Sequence, residues 1–441
     1  MKAVIIAGGK GTRIRSVTGD ALPKALLPVA GLPIIFRQFH LLKRYGFSEV
    51  VVTAGYLAPV LSDACARESK RLGLRVQVVV ENQPMGTGGG LPLARRYLGD
   101  DSFLVLCGDI AIDMELERLA KCHRDTRADA TVVVHPNDHP QTSDLVVVDD
   151  SGRIREFLPR GTRTGLDHRN LVIGSVYVLS PRVFDFIHPD AKQDLNNEIL
   201  PRMAAGGANV IAYNTPEYLR DVGTPERLAL VEGDIATDRM ERLNWCNKRP
   251  AVFFDRDGVL IEDAGERGVT SPDEVVLLPG AAEAVRAVNE AGWLAVVISN
   301  QPGVAKGFLS SEQLDRITGR LEMELGKEGA WLDRVYYCPH HPETGFDGER
   351  PELKMPCDCR KPAPGLLLRA TEELPLDLHA SVFIGDTARD VGVARAVGIP
   401  AFGVRTGHGC QDCNGDLQAD CMHDTVLEAV QHVLGQRGSS C

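Results

Sequence analysis

No stretch of this 441-residue sequence approaches the ~20 consecutive apolar residues that a membrane span needs. Met1-Lys2 runs straight into an apolar segment, which predicts no cleavable leader and a cytoplasmic location. An excess of positive charge is also missing: 49 Lys and Arg stand against 60 Asp and Glu, for a net charge of −11. Neither nucleic acid nor a membrane surface attracts so acidic a chain nonspecifically, although anionic small molecules remain compatible with locally clustered basic residues. A secretory cysteine framework is absent as well. The 11 cysteines are odd in number and spread over a long chain without a secretory signal, which predicts reduced thiols, some of them metal ligands. Internal repeats and low-complexity segments are lacking.

What is present is the composition of a soluble globular protein, 44% hydrophobic and 25% charged, long enough for about two or three domains. Short Val/Ile-rich runs recur between amphipathic stretches: "KAVIIAGG", "EVVVTAG", "RVQVVVE" and "SFLVLCGD", then "AVFFDRDG", "WLAVVISN" and "SVFIGDT". That rhythm predicts an α/β protein with two parallel layers. In both sets the polar or glycine-rich motif closes an apolar strand, where open α/β sheets bind ligands. Between the sets, "VEGDIATDRMERLNWCNKRP" loses the strand rhythm and turns charged. It reads as a helical connector with a boundary near Asn247, dividing the chain into 1–235, a linker 236–249, and 250–441. The tail "GQRGSSC" reads as frayed.

In the N-terminal part, the loop Ala7–Arg13, "AGGKGTR", follows a strand and offers backbone N–H groups and the charges of Lys10 and Arg13 to an anion. It is not a Walker loop, because Lys10 is followed by Gly11. Nor is it a dinucleotide fingerprint, because Ile14 stands where a third small residue is needed. Lys24 and Arg13 can neutralise a polyphosphate, and the separated carboxylates of Asp109 and Asp221 can hold a magnesium ion bridging phosphate oxygens. With "ENQPMGTGGG", these pieces resemble in order and spacing the sugar-1-phosphate nucleotidyltransferases, closest to the mannose- and heptose-1-phosphate guanylyltransferases, over roughly Met1 to Leu230. The resemblance implies a Rossmann-like fold in which Gly8, Gly9, Gly11, Thr12 and Arg13 wrap a nucleoside triphosphate. It further implies that Lys24 contacts a phosphate, Gly86 and Thr87 line the base pocket, Asp109 and Asp221 hold Mg²⁺, and Gly174 lies against the sugar. One departure stands out. Where the family has Glu-Lys-Pro, with its lysine on the sugar phosphate, this chain reads "REFLPRGT"; Arg155 or Arg160 can substitute, or the domain binds a nucleotide sugar as a sensor without turnover.

In the C-terminal part, "VFFDRDGVL" puts Asp255 and Asp257 two residues apart at a strand end. Paired carboxylates at that spacing suit a nucleophile with an acid/base partner, with a cation to offset their mutual repulsion. Ser299 in "VISNQPG", Lys361 in "CRKPAPG" and Asp386 in "FIGDTARD" follow at later strand ends. The ordered set resembles the haloacid dehalogenase-type phosphatases, across about Pro250 to Gln436. That implies a Rossmannoid fold in which Asp255 attacks phosphorus and Asp257 protonates the leaving oxygen and later activates water. Ser299 and Lys361 would hold the phosphoryl group, with Asn300 and Arg360 on the substrate. Asp255, Asp257 and Asp386 would ligate Mg²⁺, and Asp390 would support the loop. Cys338, His340, Cys357 and Cys359, in "CPHH" and "CDC", form a set of four N/S ligands suited to tetrahedral structural zinc. His341 is the obvious substitute ligand, and the resemblance favours His340. This zinc loop looks like that of the heptose 1,7-bisphosphate 7-phosphatases and of the histidinol-phosphate phosphatases. Cys410, Cys413 and Cys421, with His408 or His423 nearby, can bind another metal but read rather as a cysteine-containing surface loop. Cys65, Cys107, Cys122 and Cys246 read as buried or semi-buried thiols.

The expected protein is a bifunctional enzyme that removes the 7-phosphate of D-glycero-D-manno-heptose 1,7-bisphosphate and transfers a nucleotidyl group to the 1-phosphate, with GTP favoured over ATP. Its expected partners are a nucleoside triphosphate and heptose phosphates, without nucleic acid or membrane. Homo-oligomerisation stays open, as does a mannose-1-phosphate guanylyltransferase fused to a histidinol-phosphate-type phosphatase.

Overall fold

The computed structural model describes residues 1–19, 21–163, 165, 167–188 and 191–436. The chain forms two compact units. One comprises Met1–His135, Val146–Pro159 and Val172–Asn244; the other begins at Trp245 and takes in Pro136–Leu145 and Arg160–Leu171 from the first half of the sequence. The helices Pro225–Ala236 and Arg239–Arg242 belong to the first unit, and the connector is divided after Asn244, its residues from Trp245 on belonging to the second. Residues 437–441 of the tail lie outside the described residues. No helix among the described residues is long and apolar enough to cross a membrane.

In the first unit the Val/Ile runs become strands β1 (Lys2–Ala7), β2 (Glu49–Ala54), β3 (Arg75–Val80) and β4 (Phe103–Cys107). They are followed by β5 (Ile110–Asp113), β6 (Ala130–His135), β7 (Leu145–Val148), β8 (Ile154–Leu158), β9 (Val172–Leu179), β10 (Val210–Asn214) and β11 (Tyr218–Asp221). The main sheet runs β8-β7-β9-β4-β1-β2-β3, with β6 beside β9 and β10 beside β6. β1 pairs in parallel with both β2 and β4, so the strand order reverses at β1 and leaves a crevice at its carboxyl end. There the loop Ala7–Arg13 begins. β11 and β5 make a separate antiparallel ribbon that pairs Asp221 with Ile110.

The second unit holds six parallel strands, β12 (Ala251–Phe254), β13 (Leu294–Asn300), β14 (Arg334–Cys338), β15 (Val382–Gly385), β16 (Ala401–Val404) and β17 (Cys421–His423), in the order β14-β13-β12-β15-β16-β17. A parallel sheet is covered on both faces, which explains why β12 is apolar at every position. Val252 and Phe254 enter one core cluster, and Ala251 and Phe253 enter the other. The order reverses at β12, again beneath the charged motif.

Sequence pattern does not anticipate that Pro136–Leu145 and Arg160–Leu171 fold with the second unit. They lie on the helix Ser311–Lys327, where a Cβ at Gly319 would stand 2.6 Å from the Asp167 carbonyl oxygen, so only glycine permits the approach. Arg169 locks the contact. Its Nε and Nη2 each donate to Glu322 at 3.0 Å and its Nη1 to Asp315 at 3.0 Å, while the Asn170 N–H adds a 2.7 Å bond to Glu322. Burial works against the Arg169 charge, but the two carboxylates outweigh it and raise its pKa. Arg169→Ala strands the buried Glu322 and should cost about 3–5 kcal/mol, read as a lowered melting temperature. Combining Arg169→Met with Glu322→Leu removes the orphaned charge and should recover much of the loss.

Candidate functional site

In the first unit, Gly11 sits at φ 62, and a Cβ there would be 3.0 Å from that of Lys24, so the glycine-rich loop lies directly against Lys24. Lys24 Nζ contacts Asp109 Oδ2 at 2.6 Å. The Asp109 carbonyl accepts from Val222 N at 2.9 Å, which brings the Asp221 turn alongside. Asp221 accepts from Gly223 N at 2.9 Å and pairs with Arg227, and the Arg13 guanidinium reaches the same turn at Gly223. Arg13, Lys24, Asp109 and Asp221, distant in sequence, thus meet at one place. The carboxylates are partly open to solvent and balance the cations around them. Two accessible oxygen donors fit a hard divalent ion such as Mg²⁺.

The remaining sequence-predicted residues of this unit divide. Gly8 lies beside the buried carboxylate of Glu81, and Thr12 opens the helical turn Thr12–Ile14. Among the described residues nothing lies within 4 Å of a Cβ built on Gly9. Gly86 starts a short helix, and the Thr87 hydroxyl donates to Asp194 at 3.0 Å and accepts from Leu195 N at 2.8 Å, which pins this segment to 193–195. Gly174 lies in β9 at a register break and packs against Leu219 and Val133. Arg155 pairs with Asp149 at 2.6 Å, whereas Arg160 falls in the second unit, its N–H donating to Asp144. Sequence reasoning missed Glu81. Burial raises its pKa, and its Oε1 makes no hydrogen bond among the described residues. Its position as the first residue of "ENQPMGTGGG" was the available signal.

In the second unit, Asp255 follows β12, and its Oδ1 accepts from Arg256 N at 2.7 Å and lies 2.9 Å from Lys361 Nζ. Lys361 Nζ also donates to Asp390 Oδ1 at 2.6 Å. Burial disfavours the Lys361 charge, but Asp255 and Asp390 prevail and hold its pKa above the ordinary lysine value. Asn300 fixes the Lys361 backbone reciprocally, accepting from its N–H at 2.9 Å and donating to its carbonyl at 3.1 Å. Asp390 serves twice, because its Oδ2 also accepts from Thr387 N and Oγ1 and caps the helix Ala388–Val397. Burial pushes Asp255 up to about 6, opposed by Lys361 and aided by Asp390 and Asp257. Burial and the Asp255 charge push Asp386 up to about 8.

Asp255, Asp386 and Asp390 bring carboxylate oxygens within 4.8 Å of one another. Asp386 Oδ2 accepts from His408 N at 2.7 Å, while its buried Oδ1 makes no hydrogen bond among the described residues. An orphaned buried carboxylate oxygen among acids is a good fit for a divalent cation. The Asp257 side chain is not in this trio. It accepts from Arg256 Nη2 at 2.9 Å and Gln301 Nε2 at 2.7 Å, and Gln301 Nε2 also donates to Ser299 Oγ at 2.8 Å. Arg256 and Gln301, both buried, were not singled out from sequence, although each directly neighbours a motif residue.

Cys338 ends β14, with its Sγ 3.6 Å from Cys357 and 3.2 Å from Cys359; His340 Nδ1 lies 3.2 Å from Cys359 Sγ. These separations approach the edges of a tetrahedron with metal–sulfur bonds of ~2.3 Å, so the donor set fits zinc. His341 turns away to Glu343 and Phe346. Arg360 Nη1 donates to the His340 carbonyl at 3.3 Å and ties this loop to the Lys361 segment. Cys421 groups with His423 and His432 rather than with Cys410 and Cys413, and His408 faces Asp263 at 3.1 Å. Cys65 is buried and Cys107 and Cys122 half-buried, but Cys246 is exposed, because it lies in the turn after Arg239–Arg242, with no strand or helix face to carry it inward.

The Nucleotidyl transferase family model matches residues 2–237. The chain belongs to that family. A HAD-hydrolase-like model matches residues 358–431. A D-glycero-beta-D-manno-heptose-1,7-bisphosphate 7-phosphatase of Vibrio cholerae is 36% identical over 187 residues, covering 42% of this chain and 97% of the relative. The second unit is thereby a HAD-type phosphatase fused to the nucleotidyl transferase. A mannose-1-phosphate guanylyltransferase of Mycobacterium tuberculosis is 32% identical over 234 residues, covering 53% of this chain and 64% of the relative. A solved D,D-heptose 1,7-bisphosphate phosphatase from B. bronchiseptica, complexed with magnesium and phosphate, is 29% identical, covering 42% of this chain and 99% of its own, with a TM-score of 0.38.

Proposed function

We propose that this chain carries two consecutive steps of heptose activation. Residues 250–441 remove the 7-phosphate of D-glycero-D-manno-heptose 1,7-bisphosphate, and residues 1–235 couple the remaining 1-phosphate to a nucleotide, joined by the connector 236–249. The observation that carries the reading is the fusion itself. The phosphatase relative matched over 97% of its length acts on a sugar bisphosphate whose product is a sugar 1-phosphate, the acceptor class of a sugar-phosphate nucleotidyltransferase.

In the phosphatase step, the Asp255 carboxylate attacks phosphorus and the bond to the sugar oxygen breaks, with Asp257, aimed by Arg256 and Gln301, donating a proton to that oxygen. Asp257 then takes a proton from water as it attacks the aspartyl phosphate, releasing phosphate and restoring Asp255. Lys361 and Ser299 hold the phosphoryl oxygens, with Asn300 keeping Lys361 in register. Mg²⁺, held by Asp386 and Asp255 with Asp390 in reach, supplies charge neutralisation when bound. Arg360 lies beside the substrate. Cys338, His340, Cys357 and Cys359 hold zinc, which pins the loop before Arg360 and Lys361.

In the transfer step, a sugar-phosphate oxygen attacks the α-phosphorus and pyrophosphate leaves. The loop Gly8–Arg13 and Lys24 position and neutralise the triphosphate, and Asp109 and Asp221 hold Mg²⁺. Gly86 and Thr87 border the base, and Gly174 the sugar. The orphaned Glu81 Oε1 beside Gly8 offers an acceptor to an N–H of the base, and the preference for GTP over ATP rests on the likeness to the guanylyltransferases. The test is a single reaction of the protein, Mg²⁺, heptose 1,7-bisphosphate and each of GTP, ATP, CTP and UTP. Mass spectrometry should find GDP-heptose. Phosphate release with no nucleotide-heptose from any triphosphate would refute the transfer step.

A further inference from the structure

The edge strand β17 carries Cys421 and His423 at alternate positions, hence on one face, and the helix Val426–Gln436 presents His432 to them. His423 Nε2 and His432 Nδ1 are 3.1 Å apart, and all three potential ligand atoms lie within 4.8 Å of one another. Two nitrogens on a tetrahedral ion at bonds of ~2.0 Å are about 3.3 Å apart, so the pair already has ligand spacing. Phe402 packs against both imidazoles, with centroids at 5.9 and 5.4 Å, and forms an apolar wall that restrains the rings.

We propose that Cys421, His423 and His432 form a second metal site of the phosphatase unit, taking a zinc-class divalent ion. A thiolate with two imidazoles selects borderline-soft ions over Mg²⁺ or Ca²⁺. Three protein ligands leave one position open to water, in contrast to the closed set of Cys338, His340, Cys357 and Cys359, so this ion exchanges more readily. Bound, it clips the edge strand to the helix that covers it. The site is independent of the substrate assignment. Cys421 and His423 are separated only by Met422, but His432 joins them only through the turn of the chain between strand and helix.

The test is metal stoichiometry on the full chain, stripped, reloaded with Zn²⁺ and desalted, then measured by elemental mass spectrometry. Wild type should carry two zinc ions, and His432→Gln, His423→Gln and Cys421→Ser should each lose one. The retained phosphate release of His432→Gln certifies that it is folded. Reloading with Co²⁺ should give a thiolate-to-metal absorption that weakens in Cys421→Ser. A stoichiometry identical in wild type and in folded His432→Gln and His423→Gln overturns the site, as does Co²⁺ absorption that Cys421→Ser leaves untouched.

Discussion

Asp255→Asn should abolish phosphate release from heptose 1,7-bisphosphate, by about 10⁴-fold or more, while leaving nucleotidyl transfer to supplied heptose 1-phosphate unchanged. The amide is nearly isosteric, so packing around β12 survives, but it offers phosphorus no anionic oxygen. Lys361 retains Asp390 at 2.6 Å and stays in place. The converse variant, Asp109→Asn, should lower nucleotidyl transfer by about 10²–10³-fold, the scale of losing one preorganised charge, and leave phosphate release intact. Separate assays of phosphate and pyrophosphate make the comparison. Loss of both activities in either folded variant would defeat the assignment of two independent sites.

Cys357→Ser should release one zinc ion and destabilise the phosphatase unit, because a structural zinc contributes its binding free energy directly to folding. The remaining Cys338, His340 and Cys359 hold only three ligand atoms, and the loop before Lys361 loses its anchor. Phosphate release should fall with the melting temperature of that unit, and nucleotidyl transfer should persist. Cys357→Ser with full zinc content and unchanged melting would remove the metal from this loop. The same measurement distinguishes this site from that of Cys421, His423 and His432, which Cys357→Ser leaves intact.

Much of the architecture was legible without coordinates, because it rests on local pattern. Apolar runs of strand length alternating with amphipathic stretches dictate two α/β sheets, and a charged or glycine-rich motif ending a central strand falls at the point where the sheet order reverses. The grouping of Cys338, Cys357 and Cys359 with a histidine was legible for the same reason, as two short fixed spacings, whereas His340 rather than His341 came from the family resemblance.

Other features depend on contacts that no local period encodes. Asp390 reads only as a support of its loop, and it is the packing of its helix against the Lys361 segment that puts one of its oxygens on that ammonium while the other caps the helix. Gln301 sits beside two motif residues, yet its bridge between Asp257 and Ser299 depends on the register of β13 against β12. Glu81 shows its orphaned oxygen only once the glycine loop closes over it.

By itself, then, the sequence determined the two sheets and the order of the motifs at their strand ends, since residue type and spacing suffice for these. Tertiary structure alone decided that Pro136–Leu145 and Arg160–Leu171 leave the first unit for the second, through Arg169 and Glu322, 153 residues apart. It also decided that His432, not Cys410 or Cys413, completes the group of Cys421. Such pairings are selected by burial and charge compensation over long loops, and neither leaves a periodic mark on the chain.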